Sequence, residues 1–168
     1  MSNPTVLILM GSDSDLATME ETARVLTEFG VPFEMHVSSA HRSPAKTSKL
    51  TREAEGRGIL VIIAAAGMAA HLAGVVAAET PLPVIAVPMA GGALNGVDAL
   101  YAMVQMPGGM PVATMAIGKA GAKNAGLLAV QMLSIASPEL RAKYVAYKAQ
   151  MAEEVEQKDQ ALQAARQI

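Results

Sequence analysis

The chain has 168 residues, 52% of them hydrophobic and 17% charged, which predicts a single domain over 1–168 and excludes an intrinsically disordered protein. The formal net charge is −2 without a block of like charge, so we expect no nucleic-acid partner. Cysteine is absent, which excludes a disulfide framework, a thiolate nucleophile and a thiolate metal site.

Strand patterns alternate with helix patterns along most of the chain. The first pattern, Val6–Met10, is a continuous apolar run typical of a strand buried on both faces of a parallel sheet. In chain order the predicted strands are 6–10, 33–37, 59–65, 84–87 and 112–117, and the predicted helices are 15–29, 44–57, 69–79, 98–104, 120–135 and about 138–166.

Small polar residues, Gly and Pro mark the ends of two of these helices. Ser14 is the predicted N-cap of the helix over 15–29, and Gly30 is the residue expected to end it. Ser43 is the predicted N-cap of the next helix, whose first residue is Pro44.

Five strands alternating with helices favour right-handed crossovers and a parallel sheet with helices on both faces. We therefore predict an α/β fold of three layers, flavodoxin-like, with strand order 2-1-3-4-5 and a long C-terminal helix.

The C-terminal helix carries a single apolar stripe, and about 27 residues would extend roughly 40 Å. Because that length exceeds a globule of this size, we expect part of the stripe to pack on a neighbouring subunit; the alternative is a frayed tail. The stripe consists of Leu140, Tyr144, Tyr147, Met151, Val155 and Leu162.

Polar residues follow the first strand at the sheet edge where open parallel sheets bind ligands. Ser12 and Ser14, together with the backbone N–H groups of the next helix, suit a phosphate. Asp13 and Asp15 could accept hydrogen bonds from ribose hydroxyls. The alternative is that these four residues only cap the helix.

The loop Ser38-Ser39-Ala40-His41-Arg42-Ser43-Pro44 follows the second strand at the same edge. Arg42 offers a fork of donors for phosphate, and His41 is suited to general acid and base catalysis. A lone His in a loop is more often solvated, but this position beside Arg42 favours the catalytic interpretation. We expect His36 to be solvated, and His71 could equally be structural or close to the site.

Several other chemistries are poorly supported. Ala64-Ala65-Ala66-Gly67 stands where a response-regulator receiver needs an Asp, and no GxGxxG follows the first strand. Aromatic residues make up 3%, which leaves few stacking partners for a flavin, and three scattered His do not suggest a metal cluster. No stretch reaches the roughly 18 apolar residues of a membrane span, so we expect a cytoplasmic protein without a membrane partner.

Five motifs, in order and between about Val6 and Leu133, carry a resemblance to a known family. They are Gly11-Ser12-Asp13-Ser14-Asp15, Ser39-Ala40-His41-Arg42, Ala69-Ala70-His71-Leu72, Gln105-Met106-Pro107-Gly108-Gly109 and Gly121-Ala122-Lys123-Asn124-Ala125. On these residues the chain resembles the N5-carboxyaminoimidazole ribonucleotide mutases of purine biosynthesis, the class I phosphoribosylaminoimidazole carboxylase catalytic subunits.

The resemblance implies a homo-octamer whose C-terminal helix reaches across subunits, a ribonucleotide and CO2 as small-molecule partners, and no cofactor or metal. It implies that Ser12, Asp15 and Arg42 bind the ribose phosphate portion of the substrate and that His41 is the general acid and base. The other implied substrate-binding residues are Ser39, Ala66, Gly67, His71 and Leu72. The small residues Ala65, Ala66, Gly67, Ala69 and Ala70 fit the wall of a pocket that traps CO2.

One loop departs from the usual family pattern. Gly-Ala-Gly-Gly-Ala-Ala-His-Leu-Pro-Gly is expected, and the chain has Ala65-Ala66-Gly67-Met68-Ala69-Ala70-His71-Leu72-Ala73-Gly74. If position 68 has a positive φ, Met there costs about 1–2 kcal/mol; if its side chain points into the pocket, it narrows the pocket. A class that carboxylates aminoimidazole ribonucleotide directly usually differs at Ala69-Ala70-His71-Leu72, which favours the mutase. The direct carboxylase and a non-catalytic nucleotide-monophosphate binding module are the alternatives.

Overall fold

A computed structural model describes residues 3–166 and contains a five-stranded parallel sheet of order β2-β1-β3-β4-β5. Both the strand order and the three-layer architecture are as predicted. The strands are β1 Val6–Met10, β2 Phe33–Val37, β3 Val61–Ala66, β4 Val84–Pro88 and β5 Ala113–Thr114. The helices are α1 Leu16–Phe29, α2 Pro44–Arg52, α3 Leu72–Glu79, α4 Val97–Val104, α5 Lys119–Ser134 and α6 Pro138–Arg166, and 3-10 turns cover Asp13–Asp15 and Glu55–Arg57.

The central strand β1 is buried on both faces because each face is covered by helices. Val6 and Ile8 pack into a core with α1 and α5, and Leu7 and Leu9 pack into a second core with α3 and α4. The pairing of Val6 with both Phe33 of β2 and Val61 of β3 sets the register. The uninterrupted apolar pattern of β1 follows from this two-sided burial.

Strand β5 is shorter than the predicted range 112–117. The N–H of Met115 donates to the carbonyl of Ala86 at 2.9 Å. To continue the parallel ladder, the carbonyl of Met115 would have to accept a hydrogen bond from the backbone nitrogen of Pro88. Proline has no N–H, so the ladder stops there.

Helices α2 and α3 are also shorter than predicted. α2 ends at Arg52, and the rest of the predicted helix forms a 3-10 turn that contains Gly56, a residue with low helix propensity. α3 begins at Leu72 rather than at residue 69, because two tight turns precede it: the N–H groups of Ala70 and His71 donate to the carbonyls of Met68 and Ala69, each at 2.8 Å.

The structure corrects one predicted cap and confirms another. The first helical segment is the 3-10 turn Asp13–Asp15, and its N-cap is Ser12 rather than Ser14. The Ser12 hydroxyl accepts a hydrogen bond from the N–H of Ser14. Gly30 ends α1 with a φ of 73°, a left-handed conformation that suits glycine.

The long helix α6 has 29 residues and leaves the globule part-way along. Leu140, Tyr144 and Tyr147 pack against the α1–α5 core, whereas Val155 is 65% exposed and Leu162 is 48% exposed. No helix within residues 3–166 is both long and apolar enough to cross a membrane.

Candidate active site

Loops at the carboxyl ends of β1, β2, β3 and β4 surround a cavity of about 600 Å³. The carboxyl ends of parallel strands share one sheet edge, which is why four loops distant in sequence meet. All nine residues predicted for the site line this cavity: Ser12, Asp15, Ser39, His41, Arg42, Ala66, Gly67, His71 and Leu72.

The β2–α2 loop presents His41 and Arg42 from a turn that bonds to itself. The hydroxyl of Ser39 accepts from the N–H of Arg42 at 3.1 Å, and the hydroxyl of Ser43 accepts from the N–H of Ser39 at 3.1 Å. Ser43 stands at the N-cap position of α2, but its hydroxyl makes no cap hydrogen bond to that helix. Ser38 is buried and bonded to Thr47 at 2.8 Å, so its hydroxyl supports the loop rather than the cavity.

The imidazoles of His41 and His71 contact each other inside the cavity. His41 Nε2 lies 2.8 Å from His71 Nδ1, and the two rings meet edge to face at an interplanar angle of 88°. At this distance one nitrogen carries a hydrogen and the other accepts it. The contact aligns His41 and gives it a partner with which to share a proton.

Arg42 lies over the end of β1. Its Nη2 donates to the carbonyl of Gly11 at 2.9 Å, which holds the guanidinium beside the β1–α1 loop. The hydroxyls of Ser12 and Ser14 line the same side of the cavity. One cation with two hydroxyls matches the donor groups that bind a phosphate.

Asp15 takes part in a capping box with Ser12. Its Oδ2 accepts from the N–H of Ser12 at 3.2 Å, so the capping interpretation of this loop holds while both side chains still line the cavity. Burial raises the pKa of the Asp15 carboxyl above its ordinary value, and the hydrogen bonds from Ser12 and Ser14 and the charge of Arg42 oppose that shift. The carboxylate faces the cavity as a hydrogen-bond acceptor.

Met68 satisfies both conditions considered for it from the sequence. Its φ is 56°, in the left-handed region, and its side chain lines the cavity. Residue 68 is 62% exposed, so the side chain lies at the solvent side of the site.

The sequence matches a known protein family over most of its length. Residues 5–154 match the family described as AIR carboxylase. The chain belongs to the AIR carboxylase family.

Two named relatives and a solved structure are similar to this chain over nearly its whole length. A Pyrococcus horikoshii protein named N5-carboxyaminoimidazole ribonucleotide mutase is 53% identical over 160 residues, which is 95% of this chain and 89% of that protein. A Mycobacterium tuberculosis protein of the same name is 54% identical and matches 95% of this chain and 91% of its own length. The crystal structure of Treponema denticola PurE has a TM-score of 0.86 at 29% identity and covers 95% of this chain and 98% of its own.

The sequence-based description of the AIR carboxylase site needs two corrections. Ala65 and Ala70 are buried in the two cores and do not form the cavity wall, whereas Ala66, Gly67 and Ala69 do. His36 is half-buried beside Glu34 and lies outside the cavity, so it is not freely solvated. Within residues 3–166, no three His, Asp or Glu side chains come together in a group that could hold a metal ion.

The β4–α4 loop is the part of the site that sequence reasoning missed. Met89, Ala90, Gly91 and Gly92 line the cavity, although this Gly-rich connection carries no chemically reactive side chain. Its position directly after a buried parallel strand is the signal that could have identified it.

Proposed function

We propose that the chain converts N5-carboxyaminoimidazole ribonucleotide into 4-carboxy-5-aminoimidazole ribonucleotide, the mutase reaction of purine biosynthesis. The observation that carries the proposal is the convergence of His41, Arg42 and the Ser12–Asp15 loop on one cavity. The names of the Pyrococcus and Mycobacterium relatives support the substrate.

The proposed reaction has two halves linked by His41. In the first, the bond between the exocyclic nitrogen and the carboxylate carbon breaks, CO2 forms, and the nitrogen keeps the electron pair and takes a proton from His41. In the second, the neighbouring ring carbon attacks CO2, a carbon–carbon bond forms, and His41 removes the ring-carbon proton. Atoms and charge balance, and His41 ends in its starting protonation state. The contact with His71 supports this role because it orients the imidazole that transfers both protons.

Binding of the ribonucleotide is assigned to the β1–α1 and β2–α2 loops. Arg42 and the Ser12 hydroxyl contact the phosphate, and Asp15 accepts hydrogen bonds from ribose hydroxyls. Ser39, Ala66, Gly67, His71 and Leu72 complete the contacts around the substrate.

The small residues of the cavity serve to retain CO2. Recapture requires the ring carbon to meet CO2 before it diffuses away, and a closed site gives the trapped molecule a high effective concentration. The cavity is lined by Ala66, Gly67 and Ala69, which are too small to fill it.

A sealed-cuvette assay tests the reaction class. N5-carboxyaminoimidazole ribonucleotide is supplied without bicarbonate, and we expect rapid appearance of the carbon-carboxylated product. Conversion of aminoimidazole ribonucleotide only when bicarbonate is added would instead identify a direct carboxylase. Inactivity in both assays would leave a nucleotide-monophosphate binding module.

A His41→Asn variant tests the role of the imidazole. We expect turnover to fall about 10²–10⁴-fold, the usual contribution of general acid–base catalysis, with substrate binding retained. His36→Asn is the matched control, because His36 lies on the preceding strand outside the cavity and its replacement should leave turnover unchanged. Equal turnover in the His41 variant and wild type would refute the assignment.

We also propose a homo-octamer in which α6 packs on a neighbouring subunit. The exposed apolar residues of α6 beyond Tyr147 support this, and so does a second exposed face on α4 formed by Val97, Tyr101 and Val104. Light scattering should give eight times the 17.4 kDa chain mass. Val155→Lys should reduce that mass, whereas Lys158→Glu on the same helix should not; a monomeric wild type would refute the octamer.

The cytoplasmic location stays a prediction, which cell fractionation would test.

A further inference from the structure

The backbone of Met68 is an outlier located in the active-site cavity. Within residues 3–166, Met68 and Asn95 are the two residues other than glycine with a positive φ. A bulky side chain in the left-handed region is uncommon, and such positions persist where the surrounding structure holds them, often at functional sites. The left-handed conformation of Met68 therefore points to a functional role for this residue.

The side chain of Met68 reaches from the β3–α3 loop to Gly92 of the β4–α4 loop. A Cβ atom placed on Gly92 would lie 3.3 Å from Cγ of Met68 and 4.0 Å from its Sδ and Cε. The stem and thioether of Met68 thus lie directly over the backbone of Gly92, whose own φ of 64° favours glycine. Both residues line the cavity.

The shape and chemistry of this contact suit a movable closure. Methionine is flexible and apolar, so it fills an irregular gap without competing for the phosphate or the ribose. Because Met68 is 62% exposed, its side chain has room to move aside while a ribonucleotide enters.

We propose that the side chain of Met68 closes the gap between these two loops and thereby retains CO2 during the reaction. This inference rests on the proposed mutase function. When CO2 escapes, the exocyclic nitrogen has already taken its proton from His41, so the enzyme releases aminoimidazole ribonucleotide and CO2 instead of product. Met68 lowers the fraction of turnovers that end in this way.

Three variants separate the side chain from the backbone. Met68→Leu keeps most of the apolar bulk, Met68→Ala removes it and keeps the requirement for a positive φ, and Met68→Gly removes both. Circular dichroism and gel filtration verify that each variant is folded and assembled like the wild type.

The experiment supplies N5-carboxyaminoimidazole ribonucleotide in ¹³C-bicarbonate buffer, with carbonic anhydrase to equilibrate the label and an enzyme-free blank to correct for spontaneous decarboxylation. Mass spectrometry measures the labelled fraction of product, and chromatography measures the aminoimidazole ribonucleotide released per product. We expect both ratios to rise several-fold in Met68→Ala and Met68→Gly and to stay near the wild-type ratios in Met68→Leu.

The possible outcomes distinguish this inference from the proposed function. Wild-type protein that forms no carbon-carboxylated product would overturn the proposed function and this inference together. An active wild type whose two ratios are unchanged in Met68→Ala and Met68→Gly would overturn only the inference. A rise in Met68→Gly alone would also overturn it, because the cause would then be backbone freedom rather than the missing side chain.

Discussion

Replacing Met68 should reveal how much free energy its backbone conformation costs. A left-handed conformation costs an L-residue roughly 1–2 kcal/mol, and glycine adopts it without that cost. Glycine in turn gains entropy in the unfolded chain, which offsets the benefit by roughly 0.4–1 kcal/mol. Met68→Ala keeps the φ of 56° and loses the same exposed side chain as Met68→Gly, so comparing these two variants isolates the backbone.

The net expectation is that Met68→Gly is more stable than Met68→Ala by about 0.8 kcal/mol. For a chain of this length that corresponds to an unfolding midpoint higher by about 2–3 °C. Differential scanning calorimetry at equal protein concentration measures both midpoints, and chemical unfolding gives the free-energy difference. A Met68→Gly midpoint at or below that of Met68→Ala would refute the reasoning, since it would mean that the strain of the positive φ does not exceed the entropic cost of glycine.

Three further predictions concern Arg42 at the proposed phosphate site, the carboxyl of Asp15 and the contact between α1 and α5. Arg42→Ala should raise the KM for the ribonucleotide roughly 10–100-fold, the effect of losing a hydrogen bond to a charged group; an unaltered KM in steady-state kinetics would remove Arg42 from the phosphate site. Burial raises the pKa of Asp15, so the stability contributed by its protonated form is present below the unfolded value of 3.8 and is lost as pH rises through the folded pKa. Asp15→Asn should therefore raise the unfolding midpoint at pH 7, with a gain that shrinks toward pH 3, and a gain independent of pH would contradict this. Gly126→Ala should lower the free energy of unfolding by about 1 kcal/mol, because an overpacking cost of about 1–3 kcal/mol is partly offset by the roughly 1 kcal/mol by which alanine favours helix over glycine. Its Cβ would lie 3.0 Å from Cβ of Val25 on α1, whereas Gly56→Ala meets nothing within 4 Å and serves as the control in urea unfolding; equal effects of the two substitutions would refute the close α1–α5 contact.

Much of the fold could be predicted from the sequence because periodicity is local. The unbroken apolar run of β1 indicated burial on both faces, and the alternation of strands and helices indicated a parallel sheet. That topology also explains why the nine predicted site residues converge, since the carboxyl ends of parallel strands lie at one edge.

Element ends were less predictable because they depend on partners outside the local sequence. β5 ends where Pro88 on the neighbouring strand cannot donate a hydrogen bond, and nothing within 112–117 signals this. The N-cap of the first helical segment is Ser12 and not the predicted Ser14, because a 3-10 turn over Asp13–Asp15 precedes α1.

The sequence by itself determined the layered sheet, the edge that carries the site and the residues on its loops, because these follow from spacing along the chain. Tertiary structure alone decided that His41 and His71, 30 residues apart, share a hydrogen bond, and that Met68 bridges to Gly92. Both contacts depend on how β2, β1, β3 and β4 are aligned and how each crossover returns the chain. The 2.8 Å between His41 Nε2 and His71 Nδ1 is set by that alignment, and a pattern confined to one segment holds no information about it.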